Sequence, residues 1–182
     1  MKVLFLDRDG TLVEEPPDQQ VDALSKIRFV PGVFAALARL QGAGFRLVMV
    51  TNQDGLGSET FPHAAFEAPQ RFMLDAFASQ GIRFDEIFVC PHRPGDHCQC
   101  RKPKTALVSD WIRSAGVDLA RSAMVGDRDT DLEFAKNIDV RGLRIGAPAA
   151  AADGWPQIAA SLLARRAHIA RKTRETGIEV SV

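Results

Sequence analysis

The feature that most constrains the fold is the apolar run Val3–Leu6, which leads directly into Asp7 and Asp9. Because the run lacks polar alternation, it is typical of a strand buried on both faces of a parallel sheet. Such sheets place their chemistry just beyond the carboxyl ends of the strands. Two carboxylates this close repel each other unless a cation lies between them, and a divalent metal is the usual cation in an oxygen-rich site. The sequence therefore predicts a strand that ends in a metal-dependent active site.

An apolar run that ends in a polar cluster occurs again further along the chain. Residues 45–50 are apolar except for Arg46, and Thr51 and Asn52 follow them. Further strands are predicted at 87–89 and 123–125, and helices are predicted at 31–42, 66–80, 105–114 and 130–137. This alternation predicts an α/β fold, in which a doubly wound parallel sheet carries helices on both faces. The polar segment 14–26 contains two prolines and is expected to be an active-site loop.

The length and charge of the chain limit its organisation and its partners. A chain of 182 residues can bury one good core but has little room for a second complete domain, so we predict a domain at 1–165 and a tail at 166–182. The formal net charge is zero and no broad basic stripe is present, which argues against nucleic acid as a partner. No apolar stretch is long enough for a signal peptide or a membrane span, so we expect a cytoplasmic protein with no membrane contact.

All three cysteines fall within an eleven-residue segment that also contains a suitably spaced histidine. Together they supply the four ligands of a tetrahedral zinc site, namely Cys90, His92, Cys98 and Cys100. A disulfide and inert buried thiols are the alternatives, but cytoplasmic proteins rarely form disulfides and this polar loop offers little apolar burial. Because no coordination position remains for a substrate, we expect a structural zinc ion. Closing the loop would also fix the approach of Arg101 and Lys102, which follow its last ligand.

Four predicted strand ends carry polar motifs in a defined order. They are Asp-Arg-Asp-Gly-Thr at 7–11, Thr-Asn at 51–52, a lysine at 102, and Gly-Asp-x-x-x-Asp at 126–131. Each motif alone is weak, because similar short motifs occur in many turns and helix caps. In this order, across residues 1 to about 145, they resemble the haloacid dehalogenase (HAD) superfamily of phosphatases. The resemblance implies a Rossmann-like core, and neither gap between the first three motifs is long enough for a large cap domain.

The resemblance also implies a reaction that passes through an aspartyl-phosphate. Asp7 is then the expected nucleophile, and Asp9 is the expected general acid and base. Mg²⁺ is expected on the carboxylates of Asp7 and Asp127 and on the main-chain carbonyl of Asp9. Thr51 and Lys102 are expected to hold the phosphoryl oxygens.

The zinc loop followed by Arg-Lys-Pro resembles one capless subgroup, the histidinol-phosphate phosphatases and the related heptose-bisphosphate phosphatases. Residues 15–17, 51–57 and 61–62 are similar to the histidinol-phosphate enzymes of histidine biosynthesis. Heptose phosphatases of this type carry a small hydroxyl residue at the position of Asp54, whereas a carboxylate suits a cationic amino alcohol. Glu15 is a further candidate for that contact, and a solvated acidic loop is an equally good explanation for it. The other predicted substrate-binding residues are Asn52, Gln53 and Arg101.

The expected function is therefore Mg²⁺-dependent hydrolysis of L-histidinol phosphate to L-histidinol and phosphate. A sugar bisphosphate such as heptose bisphosphate is the alternative substrate. A non-catalytic, zinc-stabilised binding module is the alternative from a different class of function. The presence of Asp7, Asp9 and Asp127 argues against this module, because loss of catalysis normally accompanies loss of one of these acids.

The last residues of the chain do not fit the phosphatase pattern. An alanine-rich linker and a helix around Ile158 precede them, and their apolar residues then alternate as in a strand, which we expect to lack a partner. This stretch resembles the start of an imidazoleglycerol-phosphate dehydratase. The resemblance implies a natural bifunctional fusion, of which this chain is the N-terminal half. A basic tail without a special role is the alternative.

Overall fold

The computed structural model describes residues 1–146, 154–164, 168–172 and 177–181. Its main sheet contains β1 (Val3–Leu6), β2 (Arg46–Asn52), β3 (Phe84–Cys90), β4 (Ala123–Gly126) and β5 (Arg141–Arg144). The strand order is β3-β2-β1-β4-β5, and every neighbouring pair is parallel. This order confirms the predicted doubly wound α/β fold. It also puts the reversal of strand order beside the end of β1, where open α/β sheets bind their ligands.

Helices cover both faces of this sheet. They are α1 (Val33–Gly42), α2 (His63–Ser79), α3 (Ala106–Ser114), α4 (Asp129–Asn137) and α5 (Trp155–Leu163). Alternate residues of β1 enter separate cores: Leu4 and Leu6 pack with α1, α2 and α5, whereas Val3 and Phe5 pack with α3 and α4. All four residues of β1 have no exposed surface, which confirms the prediction of a strand buried on both faces. The rigid centre of the molecule therefore supports the loop that begins at Asp7.

The strand β5 was not predicted from the sequence. Its four residues include two exposed arginines and carry no apolar run, so the segment has no strand signal of its own. It becomes a strand because its backbone pairs with β4, with Ala123 opposite Arg141 and Gly126 opposite Arg144. Within residues 1–146, the β1–β2 connection contains the loop, a single 3₁₀ turn and α1, and the β2–β3 connection contains α2. No inserted cap domain is present in that range, as predicted.

The tail contains two further strands, β6 (His168–Lys172) and β7 (Gly177–Ser181). They form an antiparallel pair with each other, in which His168 lies opposite Ser181. The expectation of a strand without a partner is therefore wrong, because each strand supplies the hydrogen-bonding backbone groups that the other needs. In the part of the chain that the structure describes, no helix is long and apolar enough to cross a bilayer.

Candidate active site

The loop after β1 brings the first motif against the motif after β4. The main-chain N–H of Asp7 donates a hydrogen bond to the carbonyl of Val125 at 3.0 Å, which joins the two strand ends. Gly10 has a φ of +75°, and a Cβ atom there would lie 2.3 Å from Oδ2 of Asp127. Only glycine therefore allows both this turn and this close approach. The two acidic motifs, which are far apart in sequence, meet because of these contacts.

Three carboxylates from these motifs form a cluster. One oxygen from each of Asp7, Asp127 and Asp131 can be chosen so that all lie within 4.8 Å of one another. Oδ1 of Asp127 is buried and has no hydrogen-bond partner among the described residues. Burial, reinforced by the charges of Asp7 and Asp131, raises the pKa of Asp127 to about 7. A hard divalent cation would satisfy this oxygen and relieve the repulsion, so the donor set fits Mg²⁺.

Lys102 lies between two of these carboxylates. Its Nζ is 2.7 Å from an oxygen of Asp7 and 2.7 Å from an oxygen of Asp131. Burial alone would lower the pKa of Lys102, but the charges of the two aspartates outweigh it and hold the pKa above its usual value. The lysine is thus a fixed positive charge beside the predicted nucleophile.

Asp131 is a site residue that the sequence analysis did not assign. It lies in the first turn of α4, where Oδ2 accepts a hydrogen bond from the main-chain N–H of Arg128 at 3.1 Å, while Oδ1 contacts Lys102. Its signal was present in the spacing Gly-Asp-x-x-x-Asp, which puts the second acidic residue in the first turn of the helix that begins at Asp129. Without coordinates, that residue is indistinguishable from an ordinary acidic residue near a helix N-terminus.

Asp9 is held by two donors. Nη1 of Arg8 lies 2.9 Å and 3.2 Å from its two carboxylate oxygens, and Nε2 of Gln53 donates to Oδ2 at 2.6 Å. The same amide nitrogen donates to Oγ1 of Thr51 at 2.9 Å. Burial raises the pKa of Asp9, and the neighbouring Arg8 opposes this shift. Asp9, Gln53 and Thr51 therefore form one network at the carboxyl ends of β1 and β2.

Asn52 makes a two-point contact with the main chain of Lys102. Its Oδ1 accepts from the lysine N–H at 3.0 Å, and its Nδ2 donates to the lysine carbonyl at 3.3 Å. Asn52 was predicted to bind substrate, but in the structure its amide group orients the backbone that carries Lys102.

A cavity of about 450 Å³ opens at this end of the sheet. Two ion pairs lie on its rim, one between Arg101 and Asp54 and one between Arg128 and Glu15. The predicted residues Glu15, Asp54 and Arg101 are therefore brought to one cleft. Seven acidic and three basic side chains line it: Asp7, Asp9, Glu15, Asp18, Asp54, Asp129, Asp131, Arg101, Lys102 and Arg128.

The four predicted zinc ligands converge after β3. Sγ of Cys90 lies 3.9 Å from Sγ of Cys98 and 3.1 Å from Sγ of Cys100, and Nδ1 of His92 lies 3.1 Å from the last of these. Tetrahedral zinc sets its sulfur and nitrogen ligands about 3.5–4 Å apart, so the cluster is slightly tighter than a zinc site. The cysteines are free thiols, and burial together with the adjacent Cys100 raises the pKa of Cys90 to about 12. A cation that stabilises thiolates therefore suits this donor set, and the residues fit zinc.

Two aspartates follow the first strand of this doubly wound sheet, and Lys102 is fixed between Asp7 and Asp131, which lies in the first turn of α4. These features define a HAD-type hydrolase core. A family model described as HAD-hydrolase-like matches residues 99–148. The structure is also similar to a D,D-heptose 1,7-bisphosphate phosphatase from B. bronchiseptica solved with magnesium and phosphate, with a TM-score of 0.79 and 32% identity over 90% of this chain and 98% of that one. The chain belongs to the HAD superfamily, as its motifs predicted.

Curated relatives extend this similarity to the whole chain. The histidine biosynthesis bifunctional protein HisB of Legionella pneumophila is 49% identical over 183 residues, which is all of this chain and 51% of that protein. The HisB protein of Blochmanniella floridana is 44% identical over 185 residues, again with 51% of its length covered. The chain thus spans about half the length of the curated relatives it matches.

Proposed function

We propose that this chain is a Mg²⁺-dependent phosphatase that hydrolyses L-histidinol phosphate in histidine biosynthesis. The similarity to bifunctional histidine-biosynthesis proteins, which extends over the whole chain, supports the pathway. The cluster of Asp7, Asp127 and Lys102 at the end of the sheet supports the chemistry, because it combines a carboxylate nucleophile with groups that offset phosphate charge.

The charge of the cleft is the observation that carries the choice of substrate. Its lining has seven acidic side chains and three basic ones. Lys102 and a bound Mg²⁺ would offset much of the negative charge of the phosphoryl group and the nearest aspartates. In the outer part of the cleft, Glu15 is paired with Arg128 and Asp54 with Arg101. Asp18 and Asp129 then give this part of the lining two more acidic than basic side chains, which favours a substrate with a cationic amine and disfavours a second phosphate.

In the proposed reaction, an oxygen of Asp7 attacks phosphorus and forms an aspartyl-phosphate while the ester P–O bond breaks. Asp9 gives its proton to the departing alcohol oxygen, and its raised pKa suits this task because burial favours the protonated form. Asp9 then takes a proton from the water that attacks phosphorus in the second step. The Asp7–phosphorus bond breaks, and inorganic phosphate leaves.

Mg²⁺ would be held by the carboxylates of Asp7 and Asp127, with the main-chain carbonyl of Asp9 as the further predicted ligand. When bound, it supplies positive charge that reduces repulsion between the phosphate and the carboxylates. The hydroxyl of Thr51 and the ammonium of Lys102 would hold the phosphoryl oxygens.

The second metal in this proposal is a structural zinc ion on the cluster at 90–100. Thiolate ligation and three free cysteines suit a reducing compartment, so we place the protein in the cytoplasm. We further propose that the chain is the phosphatase part, residues 1–165, of a natural fusion to an imidazoleglycerol-phosphate dehydratase, whose start is represented by the tail at 166–182. The half-length coverage of the curated relatives supports this division.

A heptose-bisphosphate phosphatase is the second candidate, because the B. bronchiseptica enzyme shares the fold at 32% identity. The test is phosphate release from L-histidinol phosphate and from D,D-heptose 1,7-bisphosphate at matched concentrations, with and without Mg²⁺. Mg²⁺-dependent preference for L-histidinol phosphate is the expected result. Preference for the sugar would overturn the assignment of Glu15 and Asp54 but keep the mechanism, and no release from either would contradict the proposed function.

A further inference from the structure

We propose that Gln53 is a positioning residue that holds the general acid Asp9 and the hydroxyl of Thr51, instead of the substrate contact that its sequence position suggests. This inference rests on the proposed function, because it assigns Asp9 the role of proton donor to the leaving alcohol.

The hydrogen bonds of Gln53 leave its amide nitrogen fully used. A primary amide has two N–H groups, and Nε2 donates to Oδ2 of Asp9 at 2.6 Å and to Oγ1 of Thr51 at 2.9 Å. The residue is only 4% exposed although it borders the cleft. Gln53 therefore has no N–H group left for a substrate unless it releases one of the two catalytic residues.

Gln53 is also the contact that ties Asp9 to the sheet. The other side-chain donor to Asp9 is Arg8, the preceding residue, which belongs to the same loop. Gln53 follows β2, and its main-chain N–H donates to the carbonyl of Cys90 at the end of β3 at 2.8 Å. Its backbone is thus fixed by the neighbouring strand, and its side chain transfers that position to the carboxyl group of Asp9.

The hydrogen bond from Gln53 to Thr51 determines where the hydroxyl hydrogen of Thr51 points. Because the hydroxyl oxygen of Thr51 accepts the hydrogen bond from Gln53, the hydroxyl hydrogen stays available for a different acceptor. A phosphoryl oxygen in the cleft is an acceptor of this kind. One amide group therefore orients the acid that protonates the leaving group and a donor that binds the transferred phosphoryl group.

Substrates with different leaving groups separate the effect of Gln53 on Asp9 from its effect on Thr51. An alkyl phosphate needs a proton from Asp9 as its P–O bond breaks, whereas p-nitrophenolate leaves from p-nitrophenyl phosphate as a stable anion. The value of kcat/KM reports the steps up to departure of that group. Both substrates then share the hydrolysis of the aspartyl-phosphate, in which Asp9 accepts a proton from water.

The experiment compares Gln53→Met with the wild-type chain on L-histidinol phosphate and p-nitrophenyl phosphate. We expect kcat/KM for L-histidinol phosphate to fall by about 10²-fold, in the range for a misplaced general acid. For p-nitrophenyl phosphate, kcat/KM should fall far less. Its kcat should fall as well, with a rapid initial burst of p-nitrophenolate, because hydrolysis of the aspartyl-phosphate becomes slow.

Three further variants make the result specific. Gln70→Met removes another buried glutamine, one in α2 whose amide contacts the sulfur of Met49, and it should leave both kcat/KM values unchanged. Thr51→Val removes the phosphoryl donor and one acceptor of Gln53 but keeps the hydrogen bond between Gln53 and Asp9, so it should lower kcat/KM for the two substrates by the same factor. Gln53→Leu also lacks the amide donor and adds no charge beside Asp9, so it should reproduce Gln53→Met even if the methionine variant is unstable.

The possible outcomes distinguish this inference from the proposed function. An equal fall in the two kcat/KM values of both Gln53 variants would overturn the positioning role of Gln53, while wild-type turnover would leave the phosphatase assignment intact. Unchanged kinetics would also overturn it. If the wild-type chain hydrolyses neither substrate with Mg²⁺, the proposed function fails and the inference fails with it.

Discussion

At the scale of single residues, the site is a set of acids held together by cations and amides. Lys102 contacts Asp7 and Asp131 at 2.7 Å each, and its side chain is 2% exposed. Removing one partner of such a buried pair commonly costs about 3–5 kcal/mol, because the other charge remains uncompensated. Lys102 has two carboxylate partners, so the loss of charge at one of them leaves it paired. The nucleophile can therefore be neutralised without loss of the fold.

Asp7→Asn is expected to lower phosphate release by more than about 10³-fold, because the amide cannot attack phosphorus. The thermal unfolding midpoint should change little, since Asn still accepts a hydrogen bond from Lys102 and the lysine keeps Asp131. Phosphate release, circular dichroism and thermal unfolding measure these effects. Asp75→Asn, the same change at an exposed position of α2, is the matched control. Turnover by Asp7→Asn at the wild-type rate would refute the aspartyl-phosphate mechanism.

At the scale of elements, the segment between β3 and α3 connects a candidate metal cluster to Lys102, the proposed phosphoryl-binding lysine. Cys90 ends β3, Cys100 is the last predicted ligand, and Lys102 follows two residues later. The segment contains one 3₁₀ turn, and its central residues, 93–97, are exposed. It therefore lacks the apolar contacts that would fix its conformation without a metal.

Cys98→Ser is expected to lower both stability and activity, because a weaker zinc site loosens the segment that carries Lys102. A fall of at least about 5 °C in the unfolding midpoint is expected, since 1 kcal/mol shifts a domain of this size by about 2–4 °C. Zinc content, thermal unfolding and kcat measure the change. A variant that retains its zinc and its stability but loses turnover would contradict a structural role.

The matched control is His97→Asn, at the exposed residue next to Cys98. His97 has a φ of +50°, a conformation that asparagine tolerates, and it is not part of the four-residue cluster. This variant should keep its zinc and its activity. Loss of zinc there would mean that His97 is a ligand after all.

At the scale of the whole molecule, α5 packs beside α1 and contacts the loop of the candidate site. Trp155 is fully buried, and its Nε1 donates to the carbonyl of Thr11 in the loop after β1 at 2.9 Å. Ile158 and Ala159 are buried in the same core as α1. We therefore predict that the folded unit that carries the candidate site includes α5, whereas β6 and β7 form a sheet of their own.

Two truncations test this boundary. A chain of residues 1–164 is expected to fold and to keep the activity of the full sequence, because it retains α5. A chain of residues 1–146 is expected to be largely unfolded, since the loss of a buried aromatic residue such as Trp155 alone costs about 3–5 kcal/mol. Circular dichroism and phosphate release measure both. A stable, active 1–146 chain, or an inactive 1–164 chain, would refute the boundary.

The sequence by itself determined the class of fold and the main chemical groups. The apolar runs of β1 and β2 predicted buried parallel strands, and the motifs placed after those runs were expected to meet at one edge of the sheet. The tertiary structure decided which groups contact one another. It pairs β5 with β4 and brings Asp131 to Lys102. It also uses the side-chain amides of Asn52 and Gln53 in hydrogen bonds to neighbouring residues. Periodicity reports which residues are buried, but hydrogen bonds depend on distances and angles between segments that are far apart in the chain.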